Sequence, residues 1–403
     1  MLIERNNYLN KLINFKDKQL IKVITGIRRC GKSTLFDLYI MYLKDNGVDE
    51  NQIIKINLEN PDYSHLDDYK KLYDFIKEKL QDNKMNYIFI DEVQNVKDFQ
   101  RAVDGLFIKE NCDVYITGSN AFILSSELGT LLSGRYVEIK MLPLSFKEFM
   151  SANNDKTDLI IKYNKYIENG SFPYCLNLER KEDIRTYYEG LYNSIIVKDI
   201  AKRYSISNYD QLERVISYMF DVVGNLSSTT NIANTLTSAG RNISVHTVDN
   251  YVRALTESYV LYKASRYDIK GKEILSSGAK YYLSDIGLRY YLLGTKKADK
   301  GHILENVVYL ELIRRGYEVY VGKYDTKEVD FIAINENGVE YFQVAYTLQG
   351  YSSNGSPIFD REIAPLENIK DHNAKYLLTM DFEPLTSHNG IQQINVLDWL
   401  LSK

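Results

Sequence analysis

The run Gly26-Ile27-Arg28-Arg29-Cys30-Gly31-Lys32-Ser33 constrains this chain more than any other stretch of it. It has the spacing GxxxxGK followed by Ser or Thr. It lies between an apolar run at 20–25 (LIKVIT) and a helical pattern from 32 to about 45. A strand, a tight loop and a helix N-terminus in that order gather main-chain N–H groups and positive helix-end charge at one point. Glycine at both ends of the loop permits the backbone angles that turn those N–H groups inward. The expected ligand is a nucleoside triphosphate, taken as ATP with Mg²⁺. Gly26, Ile27, Arg28, Arg29, Cys30, Gly31, Lys32, Ser33 and Thr34 are the expected cofactor-binding residues. Lys32 is assigned to the β- and γ-phosphates, Ser33 to Mg²⁺ and Thr34 to a phosphate contact.

Further apolar runs at 53–56, 87–91 and 114–117 alternate with helical patterns at 64–80 and 98–110. That alternation predicts an α/β fold with a parallel sheet covered on both faces. The run at 87–91 ends in Asp91-Glu92, which resembles a Walker B strand. Asp91 is expected to hold Mg²⁺ through its water shell, and Glu92 to orient the attacking water. The run at 114–117 leads into Gly118-Ser119-Asn120, where a polar group has the position to sense the γ-phosphate. Ser133-Gly134-Arg135 adds a cation, with Arg135 a candidate for transition-state charge in its own subunit or a neighbour's. Cys30 has two readings. It is a thiol activated by the helix end, Arg28 and Arg29, or a small buried residue under the loop.

The rest of the composition mostly excludes. The 403 residues allow two or three domains, with 44% hydrophobic and 26% charged. A net charge of -4 argues against coating nucleic acid by bulk charge. Three cysteines, no CxxC pair and five scattered histidines argue against a disulfide framework or a zinc module. No leader-like or membrane-length apolar run is present, so a cytoplasmic protein without a membrane partner is expected.

Four segments are expected: an ATPase domain at 1–150, a helical connector at 151–210, a winged-helix domain at 211–290, and a small α/β nuclease-like domain at 298–403. Helical patterns near 211–223, 229–237 and 245–257 precede a hairpin, which is the winged-helix plan. The helix at 244–255 carries His246, Asp249, Asn250 and Arg253, and the partner is DNA or protein. In the last segment Glu305, Asp330 and the strand at 341–346 resemble a PD-(D/E)xK nuclease core. Gln343-Val344-Ala345 stands where Glu-x-Lys belongs, so nuclease activity is not expected.

These residues together carry a resemblance. The stretches 25–34 (TGIRRCGKST), 89–94 (FIDEVQ), 116–120 (ITGSN), 133–135 (SGR) and 142–146 (LPLSF) resemble bacterial and archaeal AAA+-type ATPases fused to a C-terminal domain of unknown function. So do 170–173 (GSFP), 195–200 (IIVKDI) with Arg203-Tyr204, 282–285 (YLSD) and 328–331 (EVDF). The resemblance implies ATP hydrolysis, with Ser119 or Asn120 as sensor and Arg135 in the arginine role. The primary expectation is an ATPase that couples hydrolysis to a conformational change of a C-terminal winged-helix and nuclease-like module. The alternative is a slow-turnover, nucleotide-gated module that binds DNA or protein. An oligomer is left open.

Overall fold

Five strands build the first half: β1 (Ile21–Thr25), β2 (Ile53–Asn57), β3 (Asn86–Asp91), β4 (Cys112–Gly118) and β5 (Tyr136–Lys140). The structure, a computed structural model, describes residues 3–119, 121, 132–152, 156–294, 299–352, 355–382 and 386–402. The chain divides into two compact units. The first is Met1–Pro143 with Glu257–Tyr259, the second Leu144–Thr256 with Val260–Lys403.

In the first unit the sheet order is β2-β3-β4-β1-β5. Every neighbouring pair is parallel. The three central strands β1, β3 and β4 are buried along their whole length, which is why they read as continuous apolar runs. Alternate side chains sort to the two faces. Ile88, Ile90, Val114 and Ile116 face α3 (Tyr69–Lys77) and α4 (Phe99–Phe107), meeting Leu72, Ile76, Val103 and Leu106. Phe89 and Tyr115 stack with ring centroids 4.8 Å apart and meet Phe36 and Tyr39 of α2 (Lys32–Asp45). An N-terminal helix α1 (Asn6–Asn14) was not anticipated. The helix expected at 64–80 is only nine residues, because Pro61 opens a 3₁₀ turn and the Asp68 side chain caps the first turn by accepting from Lys70 N–H at 2.9 Å.

A buried ion pair crosses the sheet between β1 and β4. The Lys22 ammonium meets Asp113, both side chains at most 1% exposed. Asp113 also accepts from Tyr115 at 2.7 Å and from the Asp17 N–H at 2.9 Å.

The second unit has an eight-stranded sheet, order β12-β13-β11-β10-β9-β8-β6-β7. Its strands are β6 (Leu261–Asp268), β7 (Glu273–Leu283), β8 (Glu318–Tyr324), β9 (Lys327–Asn335), β10 (Gly338–Ala345), β11 (Ala374–Thr379), β12 (Thr386–His388) and β13 (Ile391–Asn395). Helices Tyr209–Asp221, Thr229–Ser238 and Val245–Glu257 precede the β6–β7 hairpin, as the sequence order predicts. The hairpin does not stand alone. β6 pairs in parallel with β8, so the strands expected as a wing and those of 298–403 form one sheet.

A buried carboxylate ties this unit together. Asp285 accepts from the Ser171 N–H at 2.5 Å, the Ser171 hydroxyl at 2.6 Å, the Tyr188 hydroxyl at 2.8 Å and the Leu288 N–H at 3.0 Å. Gly170 (φ 82°) precedes Ser171, and a Cβ there would lie 1.6 Å from the Tyr188 hydroxyl. The stretches 170–173 and 282–285 therefore have a structural reason. Among the described residues no helix is long and apolar enough to cross a membrane.

Candidate functional site

The parallel order places the C-terminal ends of β1, β3 and β4 side by side. Thr25 registers with Gly118, and Ile90 with Ile116. The segments that follow all leave from one sheet edge, the edge where open α/β sheets take ligands.

After β1 the loop turns back sharply. Gly26 has φ 147°, and a Cβ there would sit 2.1 Å from the Met141 carbonyl oxygen, so no side chain fits. Gly31 (φ 105°) opens α2, and Arg29 takes a left-handed φ of 67°. Lys32 is buried. Its ammonium donates to the Gly26 carbonyl at 3.1 Å and the Ile27 carbonyl at 3.4 Å, with Glu92 Oε1 3.7 Å away. Arg5 braces the loop by donating to the Cys30 carbonyl at 3.1 Å and the Leu142 carbonyl at 2.6 Å. Arg28 pairs with Glu59 at 2.8 Å.

After β3 come the two acids. Asp91 is buried, and burial holds its carboxyl above the ordinary range, opposed by hydrogen bonds from Ser33 and Thr117. Glu92 has left-handed backbone angles (φ 55°, ψ 51°), and its N–H donates to the Thr117 hydroxyl at 2.8 Å. The Thr117 hydroxyl in turn donates to Asp91. Glu92 Oε2 accepts from the Gln94 amide at 2.5 Å. After β4, buried Ser119 offers its hydroxyl 3.5 Å from the same Gln94 nitrogen. Asn120 lies outside the described residues.

Lys32, Ser33, Asp91, Glu92 and Ser119 are thus together. Arg135 is not. It precedes β5, and its carbonyl accepts from Ile21 N–H at the start of β1, the opposite edge of the sheet. Its guanidinium pairs with Asp104 at 2.5 Å and lies over Phe107. The reading in which Arg135 serves the loop of its own chain is corrected on that ground. The reactive-thiol reading of Cys30 is corrected too. The residue is 0% exposed, and burial raises its thiol pKa against the lowering influence of Lys32 and Arg5.

The site suits a magnesium nucleotide. The Lys32 ammonium is held by weak main-chain acceptors that a phosphate would outbid. The linked Ser33 hydroxyl and Asp91 carboxylate are two hard oxygen ligands of the kind that would hold Mg²⁺. Sequence reasoning missed Arg5, Thr117 and Gln94. Only Gln94 had a legible signal, two residues past the acidic pair.

In the second unit the expected Glu305 and Asp330 also meet, around Lys280 of β7. The Lys280 ammonium lies 2.8 Å from Glu305, 2.8 Å from Glu328 and 3.6 Å from Asp330. Burial alone would lower the Lys280 pKa, but Glu305, Asp330 and Glu328 outweigh it and raise it. Burial, then Glu305, raises Asp330 well above the ordinary range. Gln343 accepts from the Asp330 N–H at 3.3 Å and donates to Glu362 at 3.0 Å. The sequence signal for Lys280 was a lysine inside an apolar strand.

The comparisons bear on the fold of the first unit. Residues 18–150 match the family model described as an AAA domain, and residues 160–299 match a domain of unknown function (DUF8612). An uncharacterised protein of Haemophilus influenzae is 42% identical, over 99% of both chains. One of Methanocaldococcus jannaschii is 30% identical, covering 87% of this chain and 79% of its own. A solved Walker-type ATPase of Pyrococcus abyssi shares the fold with a TM-score of 0.52 at 14% identity, covering 72% of this chain and 95% of that one. The five-stranded parallel sheet, the loop and the acidic pair at one edge, and identities of 42% and 30% over most of the chain place it in one family with the Haemophilus and Methanocaldococcus proteins, a family with an AAA-type P-loop ATPase domain.

Proposed function

We propose that the first unit binds ATP with Mg²⁺ and hydrolyses it, and that turnover drives a conformational change in the second unit. The observation that carries this reading is the convergence of Lys32, Ser33, Asp91 and Glu92 on one sheet edge. On binding, the Lys32 ammonium exchanges the Gly26 and Ile27 carbonyls for the terminal phosphates, where it neutralises charge as it develops. Ser33 and Asp91 would hold Mg²⁺, which when bound would supply further electrostatic stabilisation. Glu92 orients a water in line with the γ-phosphorus and draws on its proton. Ser119 or Asn120 senses the γ-phosphate, and Arg135 acts only on a neighbouring copy. Steady-state phosphate release from ATP, with and without Mg²⁺, tests the reading. Hydrolysis should require the metal, and its absence under saturating MgATP would end the proposal.

The second unit is proposed to recognise DNA or protein. Its support is the exposed His246 and Arg253 on the helix Val245–Glu257, joined through Asn250 at 3.2 and 3.3 Å. It is not proposed as a nuclease. The Lys280 ammonium already sits among the carboxylates of Glu305, Glu328 and Asp330, and Gln343 and Ala345 bring neither a carboxylate nor a second amine. Incubation with single- and double-stranded DNA and with RNA, plus Mg²⁺ or Mn²⁺, should leave them intact. Cleavage that disappears in Asp330→Ala would reverse this and make Lys280 the substitute lysine.

A further inference from the structure

Gln94 stands in the site without a role in the reading above. It lies in the 3₁₀ turn Val93–Asn95 that begins at Glu92, and this turn folds its side chain back over Glu92. Its Nε2 lies 2.5 Å from Glu92 Oε2 and 3.5 Å from the Ser119 hydroxyl. A carboxylate only accepts, so the amide nitrogen must face it and the amide oxygen must face away. That oxygen is buried, and no described residue donates to it.

Glu92 needs such a clamp. Its other oxygen forms a 3.7 Å ion pair with the Lys32 ammonium, and closing to hydrogen-bond distance would remove both from their tasks. The main-chain carbonyls of Gly26 and Ile27 hold Lys32, and Gln94 holds Glu92.

We propose that Gln94 is a positioning residue for ATP hydrolysis, its Nε2 fixing the carboxylate of Glu92, the residue that orients the water. With the carboxylate fixed, the water it holds is aimed rather than merely kept near. Glu92 alone takes the proton, and Gln94 is unchanged through the cycle. This rests on the ATPase reading and adds a residue to it.

The test uses the full chain with Gln94→Met, which keeps size and loses both hydrogen bonds, and Gln94→Glu, which sets a second carboxylate against Glu92. In both, kcat should fall at least about tenfold, as displaced reactants do. KM and the affinity for a non-hydrolysable ATP analogue should stay within about twofold of the parent. In a Glu92→Gln background, Gln94→Met should change the residual single-turnover rate by less than about twofold, because the residues act as a unit. Analogue binding reports that each variant is folded, and Gln94→Glu decides if Gln94→Met is not. Parental kcat in the folded variants, a loss confined to KM, or an undiminished loss in the Glu92→Gln background would overturn the role of Gln94 while leaving the ATPase reading standing. A parent that releases no phosphate would overturn both.

Discussion

Gly26 shows how tightly single residues are specified at the sheet edge. Gly26→Ala would push a methyl to 2.1 Å from the Met141 carbonyl oxygen at a φ of 147°. The loop must then shift, at a cost of about 1–3 kcal/mol, and the N–H groups lose their aim. Calorimetric titration should show loss of nucleotide binding with the fold kept by circular dichroism. Cys30 gives the opposite kind of prediction. Buried, with its pKa raised, it should resist iodoacetamide at neutral pH in the folded protein and react in urea, as peptide mass spectrometry would show. Labelling of the native, nucleotide-free protein would contradict its burial. The sequence named the loop residues and the acidic pair because their meaning is local. It did not show Thr117 linking Asp91 to Glu92, or Lys280 among three carboxylates, because those meetings depend on strand register. Helix-end charge favoured a reactive Cys30 in the abstract, and burial under the Arg5 brace reverses the sign.

At the scale of elements, continuous apolar runs made β1, β3 and β4 legible to within two residues. The short strands β11 to β13 and the helix Ile358–Asn368, with Pro365 inside it, carried no comparable pattern and were not assigned. The pairing of β6 with β8 was hidden as well, since hydropathy does not say which strands are neighbours. Two buried charges test the packing. Lys22→Met would leave Asp113 buried without its ammonium, costing about 3–5 kcal/mol. Asp285→Ala would strand four donors and cost about 2–4 kcal/mol in the second unit. Urea unfolding should show both losses. A midpoint unchanged in either variant would mean that water replaces the missing partner.

For the whole molecule, the Haemophilus relative matches over 99% of both chains, so the first unit and its companion occur together in both proteins. The central claim is nonetheless chemical: Lys32 binds the phosphates and Glu92 orients the water. The measurement that tests it most directly is paired calorimetric ATP binding and phosphate release for Lys32→Ala and Glu92→Gln. Lys32→Ala should lose tight binding, because the cation facing the terminal phosphates is gone. Glu92→Gln should bind MgATP like the parent and lose about 10²-fold or more in hydrolysis. A Glu92→Gln protein that hydrolyses ATP at the parental rate, or a Lys32→Ala protein that binds it as tightly as the parent, would contradict the account.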